Sequence, residues 1–214
     1  MNTTITTSVR LAVLVGVSAA LHYGNAATRV LPNPLATEDY DFGAGTLSEP
    51  NYRNQQVYHA NQFPINTILI TELRFRPDRT YGNSFGTTTI SNIQINMSTT
   101  TNNPGALSST YADNVGADDQ VVLSGSVAVS SSFSGPAQGP KAFDIIIPLE
   151  CPFRYNPALG NLVVDIRNTS GSGASLLSGS ASYDTLASRV SGSVSSATGS
   201  ADQGADALRV IYFE

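Results

Sequence analysis

Gln120-Val121-Val122-Leu123-Ser124-Gly125-Ser126-Val127-Ala128-Val129-Ser130 and, after a link, Phe143-Asp144-Ile145-Ile146-Ile147-Pro148-Leu149 are the runs that decide the fold. In the first run Val121, Leu123, Val127 and Val129 share one parity, and Gln120, Val122, Ser124, Ser126, Ala128 and Ser130 share the other. A period of two puts alternate side chains on one face, so each run reads as a half-buried β-strand. The link Ser134-Gly135-Pro136-Ala137-Gln138-Gly139-Pro140 consists of turn formers. The two runs read as an antiparallel pair beside the acidic loop Ala112-Asp113-Asn114-Val115-Gly116-Ala117-Asp118-Asp119.

The same period recurs on both sides. Leu69, Thr71, Leu73 and Phe75 alternate with Glu72, Arg74 and Arg76, and Ile93, Ile95 and Met97 alternate with Asn92, Gln94 and Asn96. Leu162, Val164 and Ile166 follow the pattern, as does the terminal run from Ala207 to Phe213. Gln55 to Ala60 reads as a short strand, and Thr28 to Pro50 as irregular, broken by Pro32, Pro34, Gly43, Gly45 and Pro50. A Ser/Gly/Ala-rich tract begins at Ser170, and Leu176, Leu177, Leu186, Val190 and Val194 interrupt it at strand-like spacing, predicting two weak strands. No helix of ordinary length can be argued beyond the first residues. About eight to ten strands with frequent turns predict an all-β chain, an antiparallel β-sandwich of which the jelly roll is one form.

The first residues are different. Arg10 precedes an apolar run, Leu11 to Leu21, and Gly24-Asn25-Ala26 offers small residues for cleavage after Ala26. The run falls short of the ~20 apolar residues that a membrane span needs. The reading is a signal peptide over residues 1–26, one sandwich domain over 27–214, and no membrane span after cleavage. Export to the cell surface or medium follows.

Removing Arg10 leaves a balance of 10 − 16 = −6, with Lys141 as the one lysine. So acidic a chain has no general footprint for nucleic acid, nor a polybasic patch for an anionic leaflet. Cys151 is alone, so no internal disulfide forms; it reads as a small buried residue in preference to an exposed thiol.

Residue counts narrow the chemistry. Beyond the leader there is one histidine, His59, and one cysteine, too few for the usual zinc sites and a weak basis for a nucleophilic triad. No phosphate-binding or dinucleotide motif is present. Glycan hydrolysis needs two carboxylates, and Glu72, Asp144, Glu150 and Asp165 lie on expected strands, with nothing in the sequence to select a pair. Calcium takes several oxygen ligands, and Asp113, Asn114, Asp118 and Asp119 supply them within seven residues, with Gly116 for a tight turn. The spacing is not that of an EF-hand. A second acidic knot is Glu38, Asp39 and Asp41. A carbohydrate platform would draw on Tyr40, Tyr52, Tyr81, Tyr111, Tyr155 and Tyr183, since Trp is absent.

The chain resembles a group of uncharacterised bacterial exoproteins, many of which end in a PEP-CTERM sorting tail. The resemblance is carried by Gln55-Gln56-Val57-Tyr58, Ile70-Thr71-Glu72-Leu73-Arg74-Phe75-Arg76-Pro77-Asp78, Asn92-Ile93-Gln94-Ile95, and Asn114-Val115-Gly116-Ala117-Asp118-Asp119. It continues in Gly139-Pro140-Lys141-Ala142-Phe143-Asp144 and Gly160-Asn161-Leu162-Val163-Val164-Asp165-Ile166-Arg167-Asn168. It implies export and a β-rich domain and carries over no catalytic or binding residue. The sequence stops at Glu214 without the tail, which is expected to mean either release from the cell or a shortened sequence.

The expected role is a non-catalytic structural or adhesive module at the cell surface or in extracellular matrix, with polysaccharide, matrix or its own copies as partners. The alternatives are a carbohydrate-binding module, calcium-assisted or not, and a glycan hydrolase.

Overall fold

A computed structural model describes residues 24–39, 43–172, 178–182 and 185–214. Residues 1–23 of the expected leader, and Tyr40, Asp41, Leu176, Leu177 and Tyr183, lie outside the described residues. The strands are β1 (Ala27–Leu31), β2 (Gly43–Ala44), β3 (Tyr52–Tyr58), β4 (Ile68–Phe75), β5 (Phe85–Thr100), β6 (Gln120–Ser131) and β7 (Ile145–Tyr155). They continue with β8 (Asn161–Asn168), β9 (Ser178–Ser182), β10 (Ala187–Ser193), β11 (Ser200–Asp202), β12 (Gly204–Asp206) and β13 (Leu208–Phe213).

Two antiparallel sheets pack face to face, one ordered β1-β13-β4-β7 and the other β11-β10-β3-β8-β5-β6. Taking β1, β3, β4, β5, β6, β7, β8 and β13 in chain order, the sheets read 1-8-3-6 against 2-7-4-5. That is the jelly-roll order, with β10 and β11 added beyond β3. A small third sheet joins β12, β9 and β2. Ile70, Leu73, Phe75, Ile147 and Val210 from one sheet and Ile95, Met97, Val164 and Ile166 from the other share one core. Each such side chain contributes about 1.5–3 kcal/mol by leaving water.

The two deciding runs are both strands, but they do not pair. β6 pairs with β5 and β7 with β4, so the link between them crosses from one sheet to the other. Bulges also change the expected parity. Ile95 faces Leu123 but Asn96 faces Val121, so the extra Val122 lets Val122 and Leu123 both enter the core while Val121 turns outward, 44% exposed. In β4 the register shifts between Ile70 and Glu72, so Ile68 and Ile70 face inward ahead of Leu73 and Phe75, and Leu69 and Thr71 do not. Arg76, expected outside, is 1% exposed.

The expectation for Cys151 is corrected too: its thiol is exposed. Four residues, 149–152, stand between Pro148 opposite Glu72 and Phe153 opposite Ile70, so this part of β7 swings away from its partner. β7 is a sheet edge, a place where prolines such as Pro148 and Pro152 are tolerated and discourage pairing with another chain. Residues 28–31, taken as irregular, form with Ala27 the opposite edge strand, held by β13. The weak strands expected in the Ser/Gly/Ala tract are β9 and β10, and β10 pairs with β3 along seven residues.

One part of the interior is polar, which the alternation did not foretell. Gln56 donates to an Asp206 carboxylate oxygen at 3.0 Å and accepts from the Asp206 backbone N–H at 2.6 Å, and both are fully buried. Tyr58 Oη donates to the Asp206 carbonyl at 3.1 Å, which fastens the segment before β13 to β3. Burial, with the Asp206 charge adding to it, holds the Tyr58 phenol well above its ordinary pKa.

Candidate functional site

The acidic loop is fixed by its own hydrogen bonds. Asn114 is fully buried; its side-chain amide donates to Gln55 Oε1 at 3.0 Å and its Oδ1 accepts from the Ser108 N–H at 2.9 Å. Asp113 accepts from Ser108 Oγ at 2.8 Å. Asp118 clamps Thr99 twice, from its N–H at 2.7 Å and its hydroxyl at 2.6 Å, and Asp119 accepts from Asn96 at 2.9 Å. Asp113 and Asn114 thus share Ser108, while Asp118 is engaged by Thr99 and Asp119 by Asn96. Among the described residues no three His, Cys, Asp or Glu side chains are grouped to hold a metal. Gly116 serves close approach: a Cβ there would lie 1.6 Å from the Thr99 carbonyl oxygen.

Next to this loop, Arg53 of β3 forms a two-pronged ion pair with Asp165 of β8, at 2.9 and 2.5 Å, and Arg167 adds a contact at 3.0 Å. The Arg53 guanidinium also lies 3.9 Å from the Tyr111 ring centroid. Tyr111 is therefore 1% exposed, and burial raises its phenol pKa. Tyr155 lies wholly in the core. Tyr81 is 56% exposed and Tyr52 half-buried.

The other carboxylates considered for hydrolysis are also dispersed. Glu72 pairs with Arg74 on its own strand, and Asp144 accepts from the Ser131 and Ser132 hydroxyls. Glu150 accepts from the Ser124 N–H at 3.2 Å, and Asp165 is held by Arg53. His59, expected in a strand, instead precedes a 3-10 turn, where its Nδ1 accepts from the Asn61 N–H at 3.1 Å.

A different site arises on the outer face of the four-stranded sheet. Arg74 and Arg209 alternate with the core residues Leu73, Phe75, Leu208 and Val210, so they project outward. The 3-10 turn Asn33–Ala36 and the link between β6 and β7 rise on either side, enclosing a cleft of about 480 Å3 lined by Arg74, Arg76, Lys141, Arg209 and Phe143 among others. These four cations are four of the eleven Lys and Arg of the sequence.

Aromatic rings meet three of them, Arg76 lying 5.3 Å from the Phe143 ring centroid. Arg209 lies 4.5 Å from the Phe143 ring centroid, and Lys141 Nζ 4.6 Å from that of Phe133. Lys141 also donates to the Pro136 carbonyl at 2.8 Å. Phe133 has φ of 56°, a left-handed backbone that a bulky residue seldom adopts, at the place where its ring meets the lysine. Arg76 is anchored differently: it donates to the Leu35 and Glu38 carbonyls at 2.6 and 2.8 Å and meets Asp39 at 3.2 Å. Glu72 answers Arg74. Among the described residues Arg209 makes no ion pair, and its Nε has no hydrogen-bond partner. Burial, and after it the charge of Arg74, pull the Arg209 guanidinium pKa below its ordinary value.

No protein-family model, curated protein or solved structure matches this chain.

Proposed function

We propose that the chain is a non-catalytic extracellular module that works by attachment, in a structural or adhesive role in the matrix or at the cell surface. The observation that carries this reading is the contrast between its charged groups. Asp113, Asp118, Asp119, Asp144, Asp165, Glu72 and Glu150 are each engaged by a nearby donor, whereas among the described residues Arg209 and Lys141 line a cleft with no carboxylate of their own. Such a cleft offers charge and shape to a partner, and its lining is cationic with no carboxylate among it. The leader-like first residues and the exoprotein resemblance support placing it outside the cell. A carbohydrate-binding module is the second reading, and the cationic cleft is what favours it over self-association.

Fractionating cells that produce the protein tests the proposal. It is expected in the exterior fraction, bound to matrix, and released by high salt, because attachment through exposed charge is screened. Recovery in the cytosol, or wholly as free monomer in the medium, would contradict it.

A further inference from the structure

We infer that the cleft between β13, the Asn33–Ala36 turn and the β6–β7 link is a binding site for the carboxylate or sulfate group of an acidic glycan, with Arg209 as its principal anion contact. Arg209 and Arg74 occupy directly opposed positions on neighbouring strands. Like charges so placed destabilise a sheet unless an anion or solvent answers them. Glu72 answers Arg74 along the strand, which leaves Arg209 over Phe143 and Lys141 over Phe133. A ring orients a cation without neutralising it, so Arg209 is positioned in advance for an incoming oxyanion, and Lys141, 8% exposed and donating to the Pro136 carbonyl, adds its charge from the wall. A guanidinium matches a carboxylate or sulfate through paired N–H donors.

The cleft volume, about 480 Å3, is in the range of small-ligand sites and exceeds what a bare ion would fill, so the anion is expected to be carried on a larger body. A sugar unit fits that requirement, with Ser134 at the wall as a hydroxyl partner. The anion site stands on this geometry alone. The choice of a glycan rests on the extracellular reading proposed above.

The test is calorimetric titration of the purified protein with oligogalacturonate, a sulfated oligosaccharide, a neutral oligosaccharide of equal length and polyglutamate. The expected result is binding of one or both acidic glycans and none of the neutral one. Arg209→Ala should weaken binding at least tenfold, Arg209→Lys less, and Arg154→Ala, an exposed cation elsewhere on β7, not at all. Melting curves identify any variant that fails to fold, and Lys141→Gln then serves as the second probe of the cleft. Binding of neither acidic glycan, or binding unaffected in folded Arg209→Ala and Lys141→Gln, would overturn the site. Polyglutamate binding as tight as that of the glycans would overturn the assignment of the partner. Glycan binding with no attachment in cells would leave this site standing and remove only the adhesive role.

Discussion

Arg74 on β4 and Arg209 on β13 stand directly opposite each other in antiparallel register, two guanidinium groups side by side on the outer face of one sheet. The first has Glu72 beside it on its own strand, and the second rests on Phe143. The pair borders the cleft that Lys141 also lines.

Anion-specific stabilisation follows from that pairing. Sulfate, compared with chloride at matched ionic strength, is expected to raise the melting temperature of the protein. A ligand that binds only the folded state adds RT ln(1 + [L]/Kd), about 2.7 kcal/mol at a hundredfold excess over Kd. Arg209→Ala should lose the difference between the two salts. An equal difference in the variant would assign it to the general salting effect of sulfate.

The Arg53–Asp165 pair is expected to be structural. Asp165→Asn leaves the Arg53 guanidinium buried without its partner, and breaking such a pair costs about 3–5 kcal/mol. Urea unfolding measures it. A loss below about 1 kcal/mol would mean the pair is solvated like a surface bridge.

The acidic loop yields a two-part expectation. Asp118→Ala removes both hydrogen bonds to Thr99 and should cost on the order of 1–2 kcal/mol, with or without calcium. Calcium itself should leave the melt of the unaltered protein where it is. A calcium-dependent rise that disappears in the variant would make the loop a cation site.

High pH should destabilise the protein from its tyrosines inward. Tyr58 and Tyr155 are neutral and buried, with folded pKa values raised above that of the unfolded chain. The stability tied to them is whole below the unfolded value of about 10 and declines as pH rises toward the folded values. Melting temperature should therefore drop above pH ~10, and Tyr155→Phe, which retains the ring, should reduce the slope. A slope unchanged in that variant would place the alkaline transition elsewhere.

Cys151 should react with a thiol reagent in the folded protein at the rate of a free thiol, because it lies in the part of β7 that leaves the sheet. Labelling that requires denaturant would contradict that geometry.

Much of the architecture was legible in the alternation of branched and polar residues. Ile93, Ile95 and Met97, and Leu162, Val164 and Ile166, face the core as a period of two requires. Alternation failed at Val121 and at Leu69 because one extra residue in a strand reverses parity, and nothing in those residue types marks a bulge. It also could not tell that β6 and β7 lie in different sheets, since pairing is decided by the whole chain. The acidic loop attracted notice because its carboxylates are close in sequence; in the structure they accept from Ser108, Thr99 and Asn96, partners the sequence does not mark. The cationic cleft was hidden for the converse reason. Arg74 and Arg209 are neighbours only through the β4–β13 ladder, and Lys141 reaches them from a link that reads as a plain turn.

The most direct measurement of the account is a single incubation of the purified protein with an insoluble acidic polysaccharide, reading both retention and release of reducing ends. The account predicts a protein retained at low salt, eluted as salt rises, with no reducing ends above background. Reducing ends that accumulate with time and vanish on substituting one carboxylate would contradict the non-catalytic reading, and failure to be retained would contradict the cleft.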